Sequence, residues 1–434
     1  MSLSLARSGR ITTARSGTAV AMLLATFAGA ARAHAQPAEV AAPLATERAI
    51  LERYCVAGPR RAHATALVGE GEAAVDVAAV VPNPTLEIEH NRSLTAEEDA
   101  ETLIGVGFPL GIGGRRFLLS DAADEHLAEK SAQASAVMID GALDLREALV
   151  RAVAERERAN VLSAQQAALT ALGATLTGLK VGGESSEHDL LRHGLELEVH
   201  ETRVALQLGQ SSSAKAKLKA HLGGAIDLSG LTLPSLASEP APAASVVPPM
   251  LQSFDAAIRA FELEAEAANR KWVPDLELFF GYRQVTALET ETGHGFALRV
   301  GIPITFFDHG QGEAAVALSA AASARAARSL LLARADAETA AADETLAALA
   351  PPSGRDPAES AKRSSKLLEQ AKTLYLAGEG SLTEVLAAAA LAESTALAKI
   401  DTDEARALAR IAKMRASGSL FDAALDRACG GTSP

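Results

Sequence analysis

The stretch Gly183-Glu184-Ser185-Ser186-Glu187-His188-Asp189 has a counterpart in Gly378-Glu379-Gly380-Ser381-Leu382-Thr383-Glu384, 195 residues later. In both, an acid follows the first glycine by six residues. Two further pairs of segments recur in the same order, namely 84–88 with 274–278 and 105–110 with 299–304. The sequence therefore predicts an internal duplication. Each half is expected to contribute two strands, a very long helix, a tight glycine turn and a returning helix.

Residues 1–35 are predicted to be a signal peptide. Arginines precede a short apolar stretch at 19–30, and Ala33-His34-Ala35 is an A-x-A cleavage site. Cleavage would remove four arginines and no acid, so the formal charge would change from −13 to −17. Such an acidic chain is not expected to bind nucleic acid. Because Cys55 is the first cysteine and lies well beyond the cleavage site, we expect no lipid anchor.

The composition favours long helices over a compact enzyme. Aromatic residues make up only 3% of the chain, and alanine is abundant, which suits helices packed closely side by side. No Ser/His/Asp, Cys/His or paired-carboxylate arrangement stands out, so we expect neither an enzyme nor a cofactor. Cys55 and Cys429 are the only cysteines. In an exported protein they can pair, and two free thiols are the alternative.

Apolar and polar residues alternate with a period of two within 85–110 and 276–306. Each of these regions is predicted to hold two strands, and the prolines Pro82 and Pro84 exclude a helix before the first. Runs of about 8–11 residues match the length of a tilted membrane-spanning strand. Alternation also fits a half-buried soluble sheet. Four strands cannot close a barrel, so the membrane interpretation requires several copies of the chain.

Each pair of strands precedes a predicted helical hairpin. Residues 114–181 contain almost no helix breaker, and apolar positions spaced alternately by three and four indicate a coiled-coil seam. The chain then returns over 186–221. The second hairpin covers 311–377 and 381–416, with a kink expected at the prolines of 351–357.

The predicted boundaries follow from these elements. They are a signal peptide at 1–35, a first repeat at 36–230, an irregular linker at 231–249, a second repeat at 250–416 and a C-terminal tail at 417–434. The tail is expected to be poorly ordered.

Polar residues cluster after the first glycine turn. His193 and His200 are seven residues apart on one helix face. We interpret this face as solvated, because metal binding by one chain would favour a closer spacing or a third ligand. Asp189 and Glu384 occupy equivalent places in the two copies. They are either functional or ordinary acids favoured by the helix dipole.

Several motifs, each weak alone, carry a resemblance through their order and spacing. They are 81–87, 108–110 with 113–116, 272–276, 301–304 with 308–312, and the two glycine turns. Over about 45–416 the chain resembles the TolC family of outer-membrane efflux factors. The Pro82-Asn83-Pro84 and Gly113-Gly114-Arg115-Arg116 elements are most similar to the branch that serves cobalt–zinc–cadmium or copper export.

The resemblance implies an α+β membrane protein that assembles as a homotrimer. Four strands per chain would form one 12-stranded outer-membrane β-barrel, continued by a long periplasmic α-helical barrel. The implied function is a passive channel of a tripartite efflux system for small molecules or metal ions. Its implied partners are outer-membrane lipid, a periplasmic adaptor (membrane fusion) protein and an inner-membrane RND-type or ABC transporter. The alternatives are a channel for type I protein secretion and a soluble periplasmic coiled-coil scaffold.

The resemblance also implies roles for individual residues. Gly183 and Gly378 would form the periplasmic tips that meet the adaptor and gate the channel. Asp189 and Tyr375 match a hydrogen-bonded pair that holds the gate closed. Glu384 matches a ring of acids and thus a possible cation site.

The chain departs from the family pattern at two positions near the predicted gate. Gly380 stands where a gating arginine can occur, and Ala387 stands where a second ring of acids can occur. A less tightly held gate is therefore expected. The resemblance further implies that the chain ends meet, which favours a disulfide between Cys55 and Cys429.

Overall fold

The predicted duplication is evident in the order of helices and strands. The structure, a computed structural model, describes residues 46–92, 100–181, 186–222, 227–236, 248–286, 292–350, 357–420 and 423–430. The first repeat contains α1 (Glu47–Ala57), α2 (Arg60–Ala79), β1 (Thr85–Arg92), β2 (Ala100–Leu110), α3 (Arg115–Val181) and α4 (Glu187–Leu222). The second contains α6 (Pro249–Asn269), β3 (Leu276–Thr286), β4 (Gly293–Gly301), α7 (Gln311–Ala348), α8 (Pro357–Leu376) and α9 (Leu382–Ser417). A short α5 (Leu233–Leu236) separates the repeats, a 3-10 turn (Arg270–Trp272) follows α6, and α10 (Ala423–Gly430) follows α9.

Proline and glycine define most element boundaries. Gly58 and Pro59 separate α1 from α2. The second long helix is divided into α7 and α8, and α8 begins at Pro357; the rest of the predicted kink, 351–356, lies outside the described residues. The strand predicted to reach residue 306 ends instead at Gly301. Pro303 lacks the N–H that a continuing ladder requires, which accounts for the difference.

The four strands form one antiparallel sheet in the order β1-β2-β3-β4. Within the described chain, β1 and β4 each pair along one side only, so both are edge strands. The long helix α3 follows β2 and packs against α2, α4, α6 and α9, so it connects the sheet to the other helices. At the start of α3, Arg115 forms an ion pair at 3.0 Å with Glu313 near the start of α7, which links the equivalent long helices of the two repeats.

The main core lies around the middle of α3 and includes two segments that were expected to be irregular. Leu233 and Leu236 of α5 are fully buried in it, although 231–249 was predicted to be a linker. Leu425 of α10 is buried there too, although the tail was expected to be poorly ordered. The physical reason is that both short segments carry leucines that cover apolar surface, on α3 and α9 in the case of α5 and on α3 and α1 in the case of α10. Cys55 of α1 and Cys429 of α10 form a disulfide, with Cα atoms 4.6 Å apart.

An ion-pair network borders this core. Asp144 of α3 accepts hydrogen bonds from Arg60 at 2.5 Å and from Arg415 at 2.8 Å, so it joins α2, α3 and α9. Burial alone would raise the pKa of Asp144, but the two arginines outweigh burial and hold that pKa below its ordinary value. Arg146 is almost fully buried and donates to Glu47 at 2.5 Å and to the carbonyl of Leu236 at 3.3 Å.

Among the described helices, α7 is long and apolar enough to cross a membrane by length and composition. In its most apolar stretch of 18 residues, 17% of the residues are buried. Alanine dominates this helix, and Ala314, Ala317 and Ala321 are its buried residues at the N-terminal end. Small residues at these positions let α6 and α7 pack closely, so the composition of α7 has an explanation within the fold.

Candidate functional site

The sheet has one apolar face that the chain itself leaves exposed. Exposed fractions on this face are 69% for Leu86, 71% for Leu298 and 81% for Phe296. Aligned apolar rows run across the strands, because Leu86 pairs with Val106, Val106 with Phe280, and Phe280 with Leu298. The apolar face comprises Leu86, Ile88, Ile104, Val106, Phe108, Leu278, Phe280, Tyr282, Phe296, Leu298 and Val300. A contiguous exposed apolar surface of this kind indicates contact with lipid or protein.

The opposite face of the sheet carries charges and glycines. Arg299 of β4 pairs with Glu87 at 3.3 Å and Glu89 at 3.4 Å, although both glutamates are on β1 at the other edge. Arg283 pairs with Glu101 at 2.6 Å. Side chains of the two edge strands can meet only if the sheet curves toward this charged face. The charged face is therefore concave and the apolar face convex, as in a segment of a membrane barrel wall.

At the end of α8, Gly378 forms the predicted tip turn. It has a φ of +75°, a left-handed conformation that favours glycine. The N–H of Gly378 donates to the carbonyl of Tyr375, and the N–H of Glu379 donates to the carbonyl of Leu374. These two bonds make a Schellman motif. Gly183, the predicted counterpart, lies outside the described residues.

Glu384 and Asp189 occupy equivalent positions in the first turns of α9 and α4. The Glu384 carboxylate accepts from the N–H of Ser381 at 2.9 Å, and the Glu384 N–H donates to Ser381 Oγ at 3.3 Å. This is a capping box. The Asp189 carboxylate likewise accepts from the N–H of Ser186 at 3.4 Å and from its Oγ at 2.7 Å, and the Asp189 N–H donates to Ser186 Oγ at 3.1 Å. Both acids therefore stabilise helix N-termini, whatever else they do.

Tyr375 lies apart from the Asp189 hydrogen bonds. Its side chain is half-buried against leucines of α3 and α9, while the Asp189 carboxylate is bonded to Ser186. The structure brings the two tips together through this apolar cluster, which consists of Leu169, Leu172, Leu176, Leu190, Leu197, Tyr375, Leu382 and Leu386. Exposed Glu384 instead lines an open groove of about 940 Å³ between α8 and α9, together with Glu369 and Glu379.

His193 and His200 are buried, so the interpretation of their helix face as solvated was wrong. His193 Nε2 donates to the carbonyl of Leu169 at 2.8 Å, and His200 Nε2 donates to that of Leu162 at 2.9 Å. Seven residues further on, Gln207 donates to the carbonyl of Glu155 at 3.2 Å. These three side chains form a polar ladder that aligns α4 with α3. Their heptad spacing was the signal in the sequence that could have revealed it.

Two other features bear on the predicted site. Gly380, where a gating arginine can occur, packs against the backbone of α8: a Cβ there would lie 3.1 Å from the Tyr375 nitrogen. Among the described residues, no group of three or more His, Cys, Asp or Glu side chains is arranged to hold a metal ion. The contact of Arg299 with Glu87 and Glu89 on the concave face of the sheet was not anticipated from the sequence, because it joins residues more than 200 positions apart.

The same fold occurs in solved outer-membrane channels. A structure of CusC, from work on its folding and transmembrane channel formation, aligns with a TM-score of 0.67 and 16% identity, covering 89% of this chain and 98% of CusC. VceC, an outer-membrane protein of Vibrio cholerae, gives 0.66 and 14%, with 87% and 97% covered. The open state of the Neisseria gonorrhoeae MtrE outer-membrane channel gives 0.63 and 14%, with 88% and 93% covered.

These similarities confirm the predicted fold: a mostly helical chain with a four-stranded antiparallel sheet, shared with solved outer-membrane channels. At such low identity they concern the fold alone. They also single out no branch, because CusC and VceC score almost equally. No protein-family model and no characterised protein sequence matches the chain.

Proposed function

We propose that the protein is the outer-membrane channel of a tripartite efflux system. Three chains would close a 12-stranded barrel, and their helices would form a periplasmic tunnel. The channel is a passive conduit, so energy would come from an inner-membrane RND-type or ABC transporter, reached through a periplasmic adaptor protein at the helical tips.

The single observation that carries this proposal is the sheet. One face is apolar and exposed, the other is concave and charged, and both edge strands lack a neighbour within the described chain. A lone sheet of this kind would be an aggregation hazard in water. Pairing β4 of one copy with β1 of the next removes both edges and turns the apolar face toward lipid. A soluble periplasmic scaffold leaves that face without a function.

The sequence motifs suggest which substrates the channel exports. The Pro82-Asn83-Pro84 and Gly113-Gly114-Arg115-Arg116 elements resemble the metal-exporting branch, so metal ions are the first cargo to test. Type I protein secretion is the second candidate, since the same conduit would serve it. In a deletion strain, sensitivity to copper, cobalt, zinc and cadmium would support metal efflux, and loss of a secreted protein without metal sensitivity would support secretion.

Fractionation and a pair of neighbouring substitutions test the membrane assignment. We expect the protein in the outer-membrane fraction, extracted only by detergent and trimeric by light scattering. Leu298→Lys puts a charge on the apolar face and should impair assembly by about 2–4 kcal/mol at mid-depth. Ala297→Lys, on the opposite face, is the matched control and should be tolerated. A soluble monomer, or equal tolerance of both lysines, would refute the proposal.

A further inference from the structure

Arg299 lies on the concave face of the sheet at the level of the apolar band. Its strand neighbours Leu298 and Val300 point to the convex face, and both are exposed there. In the pairing of strands, Arg299 is opposite Phe279, which is opposite Gly107 of β2. The guanidinium group is thus a charge at membrane depth on the side facing away from lipid.

Phe279 supports the guanidinium group. The Arg299 Cζ atom lies 4.8 Å from the centre of the Phe279 ring, a cation–π contact. The ring is 3% exposed and rests on two glycines: a Cβ on Gly281 would lie 2.7 Å from it, and a Cβ on Gly105 would overlap it. The glycines therefore make room for the aromatic ring, and the ring fixes the position of the arginine over the concave surface.

Glu87 and Glu89 complete this arrangement from the other edge of the sheet. All three charged side chains remain accessible to water, with exposed fractions of 52% for Arg299, 41% for Glu87 and 50% for Glu89. Exposed ion pairs contribute little to stability. The cluster is therefore poorly explained as a structural clamp, and its charges stay available to act on ions in solution.

The concave face carries more acid than base. Glu87, Glu89, Glu101 and Glu277 face two arginines, Arg283 and Arg299. Assembly of three chains would triple this excess of two negative charges around one lumen. Rings of charged side chains determine which ions a pore prefers.

We infer that Arg299, Glu87 and Glu89 form an ion-selectivity element inside the barrel, separate from the helical tip. It rests on the proposed channel function and deepens it. The glutamates favour small inorganic cations over anions, and Arg299, held by Phe279, limits that preference. Removing the arginine charge and removing the glutamate charges must then shift selectivity in opposite directions.

The test uses the full-length trimer in planar bilayers, with reversal potentials measured in a KCl gradient. Arg299→Gln should raise the permeability of K⁺ relative to Cl⁻ by about sevenfold, because a change of roughly one kT in local potential raises K⁺ and lowers Cl⁻ by about threefold each. Glu87→Gln with Glu89→Gln should lower the ratio. Arg325→Gln removes an arginine charge from an ion pair with Glu262 between α6 and α7, outside the sheet, and should leave the ratio unchanged.

The variant Phe279→Leu tests the position of the Arg299 guanidinium group without removing its charge. It keeps an apolar side chain above the glycines but removes the aromatic surface, so it should shift selectivity in the same direction as Arg299→Gln and by less. If Arg299→Gln fails to assemble, the double glutamate variant decides the question. Conducting trimers whose ratio is unchanged in the arginine and glutamate variants would overturn the inference and leave the channel function intact. A wild-type protein that forms no channel would instead refute the proposed function.

Discussion

Ser381 and Glu384 hold each other at the start of α9 by two reciprocal hydrogen bonds of 2.9 and 3.3 Å. Ser186 and Asp189 repeat the relation at the start of α4. The duplicated sequence thus encodes a duplicated helix cap just beyond the tip turns. Each acid therefore has a structural role, and any role in gating is additional. Substitutions must separate the effect of helix capping from the effect of charge.

Glu384→Gln makes that separation, because glutamine can also complete a capping box. We expect this variant to keep the thermal stability of the trimer while weakening block by divalent or trivalent cations applied from the periplasmic side. Glu384→Ala should lose the same block and also about 0.5–1.5 kcal/mol of stability, since the Ser381 N–H loses its carboxylate acceptor. Bilayer recordings and thermal dissociation of the trimer measure the two effects. Unchanged block in Glu384→Gln would exclude a cation ring.

Asp189→Ala combined with Tyr375→Phe tests the predicted gate pair. The resemblance implies that the two side chains hold the tip closed, so the double variant should raise single-channel conductance without unfolding the trimer. Asp189→Ala alone is expected to account for most of the rise, because the Asp189 carboxylate fixes the start of α4 through Ser186 while Tyr375 packs among leucines. Asp189→Asn, which can still accept from Ser186, is the control. If the double variant has the conductance of the wild type, Asp189 and Tyr375 do not hold the gate closed.

The repeats, strands and helices could be predicted because breakers and periodicity are local signals. Pro82 and Pro84 precede β1, and the helix predicted over 114–181 is α3 (Arg115–Val181). Burial contributed by distant segments could not be predicted in this way. The leucines of α5 and α10 are buried only because helices distant in sequence offer apolar surface, which neither short segment indicates by itself.

The polar ladder should stabilise the α3–α4 hairpin. His193→Leu with His200→Leu removes two buried hydrogen bonds, each contributing about 0.5–1.5 kcal/mol. We expect a lower temperature of thermal unfolding by circular dichroism. His188→Leu, an exposed histidine on the same helix, is the matched control. Should the double variant unfold at the wild-type temperature, the ladder would have no energetic role.

The disulfide should hold α10 against the core. Cys55→Ser with Cys429→Ser is expected to cost about 2–5 kcal/mol, because the bridge closes a loop that spans nearly the whole mature chain. Loss of the bridge should also expose the C-terminal segment to limited proteolysis before the rest of the chain. Non-reducing peptide mass spectrometry of the wild type checks the bond itself. Finding both thiols free would contradict the pairing.

His126 should make the contact between α3 and α6 dependent on pH. Its Nδ1 lies 3.0 Å from Glu129 and its Nε2 lies 3.0 Å from Glu264 of α6. The hydrogen bond to Glu129, reinforced by Glu264, outweighs partial burial and raises the pKa of His126 above its ordinary 6.5. Stability from the protonated form is therefore complete below pH 6.5 and is lost as the pH rises through the higher folded-state pKa.

Comparison of His126→Gln with wild type across pH tests this. The variant should be less stable than wild type under mildly acidic conditions, and the difference should shrink as the pH becomes alkaline, because neutral imidazole no longer pairs with two carboxylates. Unfolding temperatures at a series of pH values provide the measurement. His63→Gln, at an exposed position of α2, controls for general effects of losing a histidine. A difference that stays constant with pH, or grows as the pH rises, would show that His126 stabilises the contact by packing rather than by charge.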